Sequence, residues 1–308
     1  MSFTATVKNE IIRIARIQPE KIAEMSALIR NSATLDKEMK LSTENVTVAR
    51  FIYQTLKELY DIPVKITVRK GYNFHKNYIY ILEVKQNLSQ ILKDVGLLEN
   101  NRYQNIPPSY LIADDQLKRA YLRGVFLSVG SVNDPKTSRY HLELLVTDEE
   151  YAQFLCDLLN TYQLNSKVIR RENKYMIYIK EAEKIGDFLR LLKAMNAVLY
   201  YEDIRIYRDR KNMTNRLNNC EQANVDKIIE TASKQVKLIT YLEDTDTLDL
   251  LDEKSREAAI YRVKYPDVSL QELSEIITME TGTPITKSGL HHRLKKMEDF
   301  ALKLQSKE

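Results

Sequence analysis

The residues best suited to act on a partner lie near the C-terminus of this 308-residue chain. From Lys287 to Lys296, KSGLHHRLKK carries Lys287, Arg293, Lys295 and Lys296 and no acid, although residues 221–308 as a whole hold 13 Lys+Arg against 17 Asp+Glu. Cations at that density suit phosphate oxygens, and Ser288, His291, His292 and Arg293 could donate to base edges. The two histidines are helix neighbours pointing about 100° apart with no third ligand nearby, so no metal site is expected there. A second basic run, Arg205, Arg208, Arg210 and Lys211, could track a nucleic-acid backbone or could be a solvated strand and linker. Cys156 and Cys220 form no metal-spaced cluster and read as free thiols. A catalytic Cys220 would need a base that nothing nearby supplies; burial against the following helix, capped by Asn218 or Asn219, is the expected role. No cofactor is expected.

The elements that must hold the basic run read as a helix-turn-helix. SLQELSEIITME begins with Ser269 and has Glu272 three residues on, a capping box. A turn with Gly282 and Pro284 follows, longer than the usual three or four residues, and then the amphipathic TKSGLHHRLKKMEDFALKL. Leu270, Leu273, Ile276, Ile277, Leu290, Leu294 and Met297 are its expected core. Gly289 costs helix stability, about 1 kcal/mol relative to Ala, but removes a side chain where the helix would approach DNA closely.

The first two thirds of the chain read as one pattern written twice. EKIAEMSALIRNSATL (Glu20–Leu35) and NVTVARFIYQTLKELY (Asn45–Tyr60) are helical, with a strand around Lys40 between them. The strands VKITVRK and NYIYILEVK and the short helix LSQILKDVGLL complete the first copy. DDQLKRAYLRGVFLSVGSV opens the second, and YHLELLVT, DEEYAQFLCDLLNTY, SKVIRR, KYMIYIK and AEKIGDFLRLLKAM follow in the same order. NNRYQNIPPSYLI, with Pro107-Pro108, joins the copies. The expected domains are 1–210, with halves of about 1–100 and 110–205, a linker at 211–223, and an all-helical domain at 224–308.

LRGVFLSVGSV (Leu122–Val132) spends two of the chain's seven glycines, Gly124 and Gly130, in one apolar helical run without an acid. The doubled order and this run resemble the LAGLIDADG homing-endonuclease fold, α+β, in which two αββαββα halves meet through side-by-side motif helices. The resemblance sets Gly124 and Gly130 on the motif glycines, with Ala27 and Ala33 in those places in the first copy (MSALIRNSA), and makes Ala27, Gly124 and Gly130 helix-interface residues. It also implies that the metal-holding carboxylates of active members are replaced by Ser32 and Val129. A hydroxyl and an isopropyl group cannot hold a hard divalent cation. Asp36 and Asp134 lie past the helix ends, so no enzyme activity is expected, and a metal-dependent endonuclease using those two acids is the least favoured alternative.

A degenerate domain of this kind followed by a helix-turn-helix is similar to the WhiA family. SALIRNSATL, LRGVFLSVGSVNDP, NRLNNCEQAN and KSGLHHRLKKM carry that resemblance. It implies a cytoplasmic, nucleoid-associated bacterial protein that binds double-stranded DNA. Its expected role is in cell division and chromosome segregation, with a transcription-regulator-like character that in actinobacterial members governs sporulation. A protein partner docking on the LAGLIDADG-like domain is the alternative. Composition agrees with a globular protein: 44% hydrophobic and 29% charged, net +4, with +8 falling in residues 1–220. That mild positive field is compatible with a polyanion. The N-terminus alternates charged and apolar residues, so no signal peptide is expected, and no apolar run approaches the ~20 residues of a membrane span.

Overall fold

The computed structural model describes residues 2–70, 78–137 and 139–306. Asn77, the first residue of the expected strand NYIYILEVK, lies outside them. The chain forms two compact units, Met1–Arg208 and Asp209–Glu308.

In the first unit the chain runs α1 (Phe3–Ile12), α2 (Gln18–Ser32), β1 (Ala33–Leu35), β2 (Met39–Thr43), α3 (Val46–Tyr60), β3 (Val64–Lys70), β4 (Tyr78–Val84) and α4 (Leu88–Asp94). A small hairpin, β5 (Leu98–Glu99) and β6 (Arg102–Tyr103), and a 3-10 turn at Ser109–Ile112 lead to the second copy. That copy holds α5 (Asp115–Val129), β7 (Gly130–Val132), β8 (Leu142–Val146), α6 (Glu149–Asn160), β9 (Lys167–Arg171), β10 (Lys174–Ile179) and α7 (Ala182–Leu191). The two antiparallel sheets have the same topology, β1-β2-β4-β3 and β7-β8-β10-β9. The fold is therefore a duplicated α+β, LAGLIDADG-like unit. Alternation places Met39, Leu41, Leu82 and Val84 of one sheet, and Leu142, Leu144, Ile177 and Ile179 of the other, in a shared core.

Local chemistry sets the element ends. Asn45, Asp114 and Asp148 each accept a backbone N–H from the first turn of the helix that follows, at 2.8 Å. Glu172 takes a left-handed φ of 55° between β9 and β10, in the expected tight turn. The helical periodicity overshoots each motif helix by three residues: Ala33–Leu35 and Gly130–Val132 are strands that start as soon as α2 and α5 end.

Helix α1 is masked in the sequence, where charges interrupt the apolar residues. Phe3, Val7 and Ile11 recur every fourth position and are buried. Thr4 Oγ1 donates to the Val132 carbonyl and accepts the Val132 N–H, both at 2.9 Å. The extreme N-terminus therefore packs on the second copy as well as on its own.

Helix α8 (Met195–Asp244) contributes its first turns to the first unit and the remainder to the second. The segment 211–223, expected as a linker, is helical throughout. Its asparagines read as a loop, but it contains neither glycine nor proline to break a helix. Asn218 and Asn219 consequently sit inside a helix rather than at a cap, and Cys220 is exposed rather than buried. The second unit continues with a 3-10 turn at Leu248–Leu250, then α9 (Glu253–Lys264), α10 (Leu270–Thr281) and α11 (Lys287–Gln305). Its core joins Leu238, Ile239 and Leu242 to Ala258, Leu273, Ile277, Leu290, Leu294 and Met297. Leu270 and Ile276 are only partly covered. Among the described residues, no helix is long and apolar enough to cross a membrane.

Candidate nucleic-acid interface

In the first unit, the positions that resemble the endonuclease motif lie where α2 packs along α5. A Cβ added at Gly124 would stand 2.3 Å from the Glu24 carbonyl oxygen and 2.9 Å from the Ala27 Cβ. The α2 backbone at Glu24 and the Ala27 methyl thus lie directly against Gly124. Gly130 differs from the expectation. A Cβ there would strike the Phe126 ring 2.2 Å away, in the helix that it follows. The atoms nearest to this glycine are those of Phe126, so it relieves crowding at the turn from α5 into β7.

The contact is closed by charge. Arg123, fully buried, donates from Nε to Glu24 (2.5 Å) and from Nη2 to Glu20 (3.0 Å), and Arg16 Nε reaches the other Glu24 oxygen at 2.5 Å. Ser32 closes α2 by donating to the Leu28 carbonyl at 2.6 Å, and Val129 ends α5 half-buried. Asp134 accepts from the Lys136 N–H (2.9 Å) and from the Tyr200 hydroxyl (3.3 Å), and Asp36 is exposed beyond β1. Neither acid occupies a motif-helix end.

In the second unit, α10, the turn 282–286 and α11 make the helix-turn-helix. Ser269 and Glu272 close the capping box, at 3.2 and 2.8 Å. Gly282 adopts a φ of 68° to end α10, and the Thr278 hydroxyl accepts the Ile285 N–H to hold the turn. Thr286 caps α11 by accepting the Gly289 N–H at 3.1 Å. A Cβ at Gly289 would come within 3.3 Å of that hydroxyl, so the missing side chain also makes room for the cap.

With Leu290, Leu294 and Met297 turned into the core, the opposite face of α11 exposes Lys287, Ser288, His291, His292, Lys295 and Lys296. Arg293 is half-buried at its edge. Three of the four cations are held by the protein's own acids. Arg293 meets Glu257 at 3.2 Å, Lys296 meets Asp252 at 2.7 Å, and Lys295 lies 3.3 Å from Asp299. The hydrogen bond that Lys296 donates holds the Asp252 carboxyl down at about 2, and donating to Asp299 raises the Lys295 ammonium above its ordinary value. Lys287 has no ion-pair partner among the described residues. Asp252 and Glu257, just before and within α9, escape a reading of the sequence; no local spacing signals a partner some forty residues away.

The second basic run is not a strand and linker but part of α8. Arg205 bonds Glu202 at 2.7 Å, and Arg208 bonds the Pro135 carbonyl at 2.6 Å while lying over the Tyr140 ring. Both are engaged in the first unit. Arg210 and Lys211 are exposed on the part of α8 that belongs to the second.

Three family models cover this architecture in order: the WhiA N-terminal LAGLIDADG-like domain at residues 18–98, the WhiA LAGLIDADG-like domain at 118–211 and the WhiA C-terminal HTH domain at 214–301. A probable cell division protein WhiA of Lactiplantibacillus plantarum is 42% identical over 310 residues, 99% of each chain. The chain belongs to the WhiA family. Its namesake in Staphylococcus haemolyticus is 43% identical over 313 residues, covering 100% of this chain and 99% of its own. The crystal structure of full-length WhiA from Thermatoga maritima has the same fold, with a TM-score of 0.58 at 24% identity over 98% of this chain and 99% of that one. The crystal structure of a WhiA N-terminal LAGLIDADG domain matches 62% of this chain and 90% of its own, with a TM-score of 0.51 at 26% identity. The HTH family model begins at residue 214, inside α8.

Proposed function

We propose that this chain is a non-catalytic double-stranded-DNA-binding protein of bacterial cell division and chromosome segregation, regulator-like and nucleoid-associated. The observation that carries the reading is the exposed face of α11. It presents Lys287, Ser288, His291, His292, Lys295 and Lys296 with no acid before Glu298, on the second helix of a helix-turn-helix. Such a helix enters the major groove by its first turns, so Ser288, Gly289, His291 and His292 face base edges and the cations face phosphates. Division is supported by the names of the close relatives. The absence of catalysis is supported by Ser32 and Val129 at the ends of the two motif helices.

The test is duplex binding by the full chain, followed by fluorescence anisotropy across a salt series. Arg293→Ala with Lys296→Ala weakens binding and flattens the salt slope by about one for each phosphate no longer neutralised. Unchanged affinity and slope would remove α11 from the interface.

A second reading has its own observation. Strand β3 is the outer edge of the first sheet, and Ile66, Val68 and neighbouring Tyr78 are 43–54% exposed there. Exposed apolar side chains on an edge strand that also exposes Lys65, Arg69 and Lys70 fit a protein partner docking on the LAGLIDADG-like unit. Ile66→Lys with Val68→Lys, leaving DNA binding intact while impairing division in cells, separates it from the first.

A further inference from the structure

The second unit contains a cleft of about 240 Å³, lined by Lys227 and Thr231 of α8, Arg262 of α9, Ser269 and Gln271 at the start of α10, and Lys287 at the start of α11. Three cations line it and no carboxylate does. Arg262 is 1% exposed. Its Nη1 donates to the carbonyls of Val268 (2.8 Å) and Tyr265 (3.4 Å), while its Nε has no partner among the described residues. Burial lowers its pKa and no neighbouring acid opposes that shift. Elsewhere the protein treats a buried guanidinium differently: Arg123 has two carboxylates on it. A buried charge without a counter-charge is costly, and an anion in the cleft removes that cost.

The remaining lining fits the same ligand. Lys227 and Lys287 are exposed and have no ion-pair partner among the described residues. The capping box occupies the amides of Ser269 and Glu272. The next free donors are the amides of Leu270 and Gln271, the first two residues of the twelve-residue α10, both at the cleft wall. Thr231 and Ser269 add hydroxyls.

We propose that this cleft is a phosphate site, with the Arg262 guanidinium at its buried end and Lys227 and Lys287 at its mouth. Two sources carry that group: a backbone phosphodiester of bound duplex or a free phosphate. The duplex source rests on the DNA-binding reading, because Lys287 belongs to both; the free source does not. Lys227 lies outside the proposed base-reading face and so reports on the cleft alone.

The experiment uses the full chain, wild type and Lys227→Gln, with Thr231→Val as a second variant that removes a donor without touching charge. Inorganic phosphate is titrated at constant ionic strength and read by the thermal midpoint and by calorimetry. Duplex is titrated separately over a salt series. Saturable phosphate binding that weakens on the order of tenfold in Lys227→Gln is the expected result. If the duplex salt slope also falls by about one in that variant and phosphate displaces duplex, the source is the DNA backbone. If the slope is unchanged, the source is free phosphate. Absence of saturable phosphate binding together with an unchanged slope overturns the site, as does phosphate binding that both variants leave intact. A wild-type chain that binds phosphate but no duplex sinks the DNA reading and leaves the cleft standing.

Discussion

The α2–α5 contact of the first unit and the α11 face of the second use the same chemical pair, a cation against a carboxylate, to opposite ends. Between α2 and α5, Arg123 and Glu24 have fully buried side chains, and Arg16 and Glu20 complete the network. On α11, Lys296 keeps 60% of its side chain exposed while it touches Asp252, and Arg293 keeps 21% while it touches Glu257. A buried pair holds its partners firmly because either one left alone is a desolvated charge. An exposed pair contributes little stability, since water and salt screen it. The first arrangement uses up its cations in architecture. The second keeps them oriented and exchangeable, and a phosphate oxygen can take the place of Asp252 or Glu257 at little cost. A count of basic residues would rank these two clusters together, yet of the two only the α11 face has charge to give to a partner.

The largest expected effect tests the buried side of this contrast. Arg123→Met leaves Glu24 with only Arg16 and should destabilise the full chain by about 3–5 kcal/mol in denaturant unfolding. A loss under ~1 kcal/mol would mean that the network is not held together as described. Gly124→Val comes next. Its branched side chain must push α2, whose Glu24 carbonyl oxygen would lie 2.3 Å from the new Cβ, away from α5, at roughly 1–3 kcal/mol. The same substitution at Gly130 should disturb the local α5–β7 turn, with the α2–α5 spacing retained in a crystal structure of the variant.

The exposed side should respond in binding more than in stability. Asp252→Asn with Glu257→Gln frees Lys296 and Arg293, and duplex affinity at low salt should rise a few-fold while stability stays within ~1 kcal/mol. A fall in affinity would show that the acids position the cations rather than compete for them. The smallest effect is in acid. Asp252 is held at about 2 when folded, against an ordinary 3.8. A depressed carboxyl stabilises the fold above its unfolded pKa, and that contribution disappears as pH falls through the folded one. Between pH 4 and 2 the thermal midpoint should therefore drop less steeply in Asp252→Asn than in the wild type.

Much of the fold is legible because it is written in local spacing. Alternation marks the strands, fourfold recurrence marks α3 and α6, and Ser269 with Glu272 marks the start of α10. Two helices show the limits of that reading. In α1, Phe3, Val7 and Ile11 carry the signal, but intervening charges hide it. In α8, asparagine-rich composition suggests a linker, whereas continuity of a helix depends on the absence of breakers as much as on favourable residues. The candidate interface is half legible: the cations of α11 stand out in the sequence, and their acidic partners do not.

By itself the sequence determined the duplicated element order, the helix-turn-helix and the cations that α11 offers, because each follows from periods and caps spanning a few residues. Only the tertiary structure decided that Gly124 meets the backbone of α2 while Gly130 meets Phe126 of its own helix, and that Arg123 is held by Glu24, 99 residues away. It alone brought Lys227, Arg262 and Lys287 to one cleft. Such outcomes depend on which surfaces meet, and the burial that makes a charge costly or a missing Cβ necessary exists only once they have met.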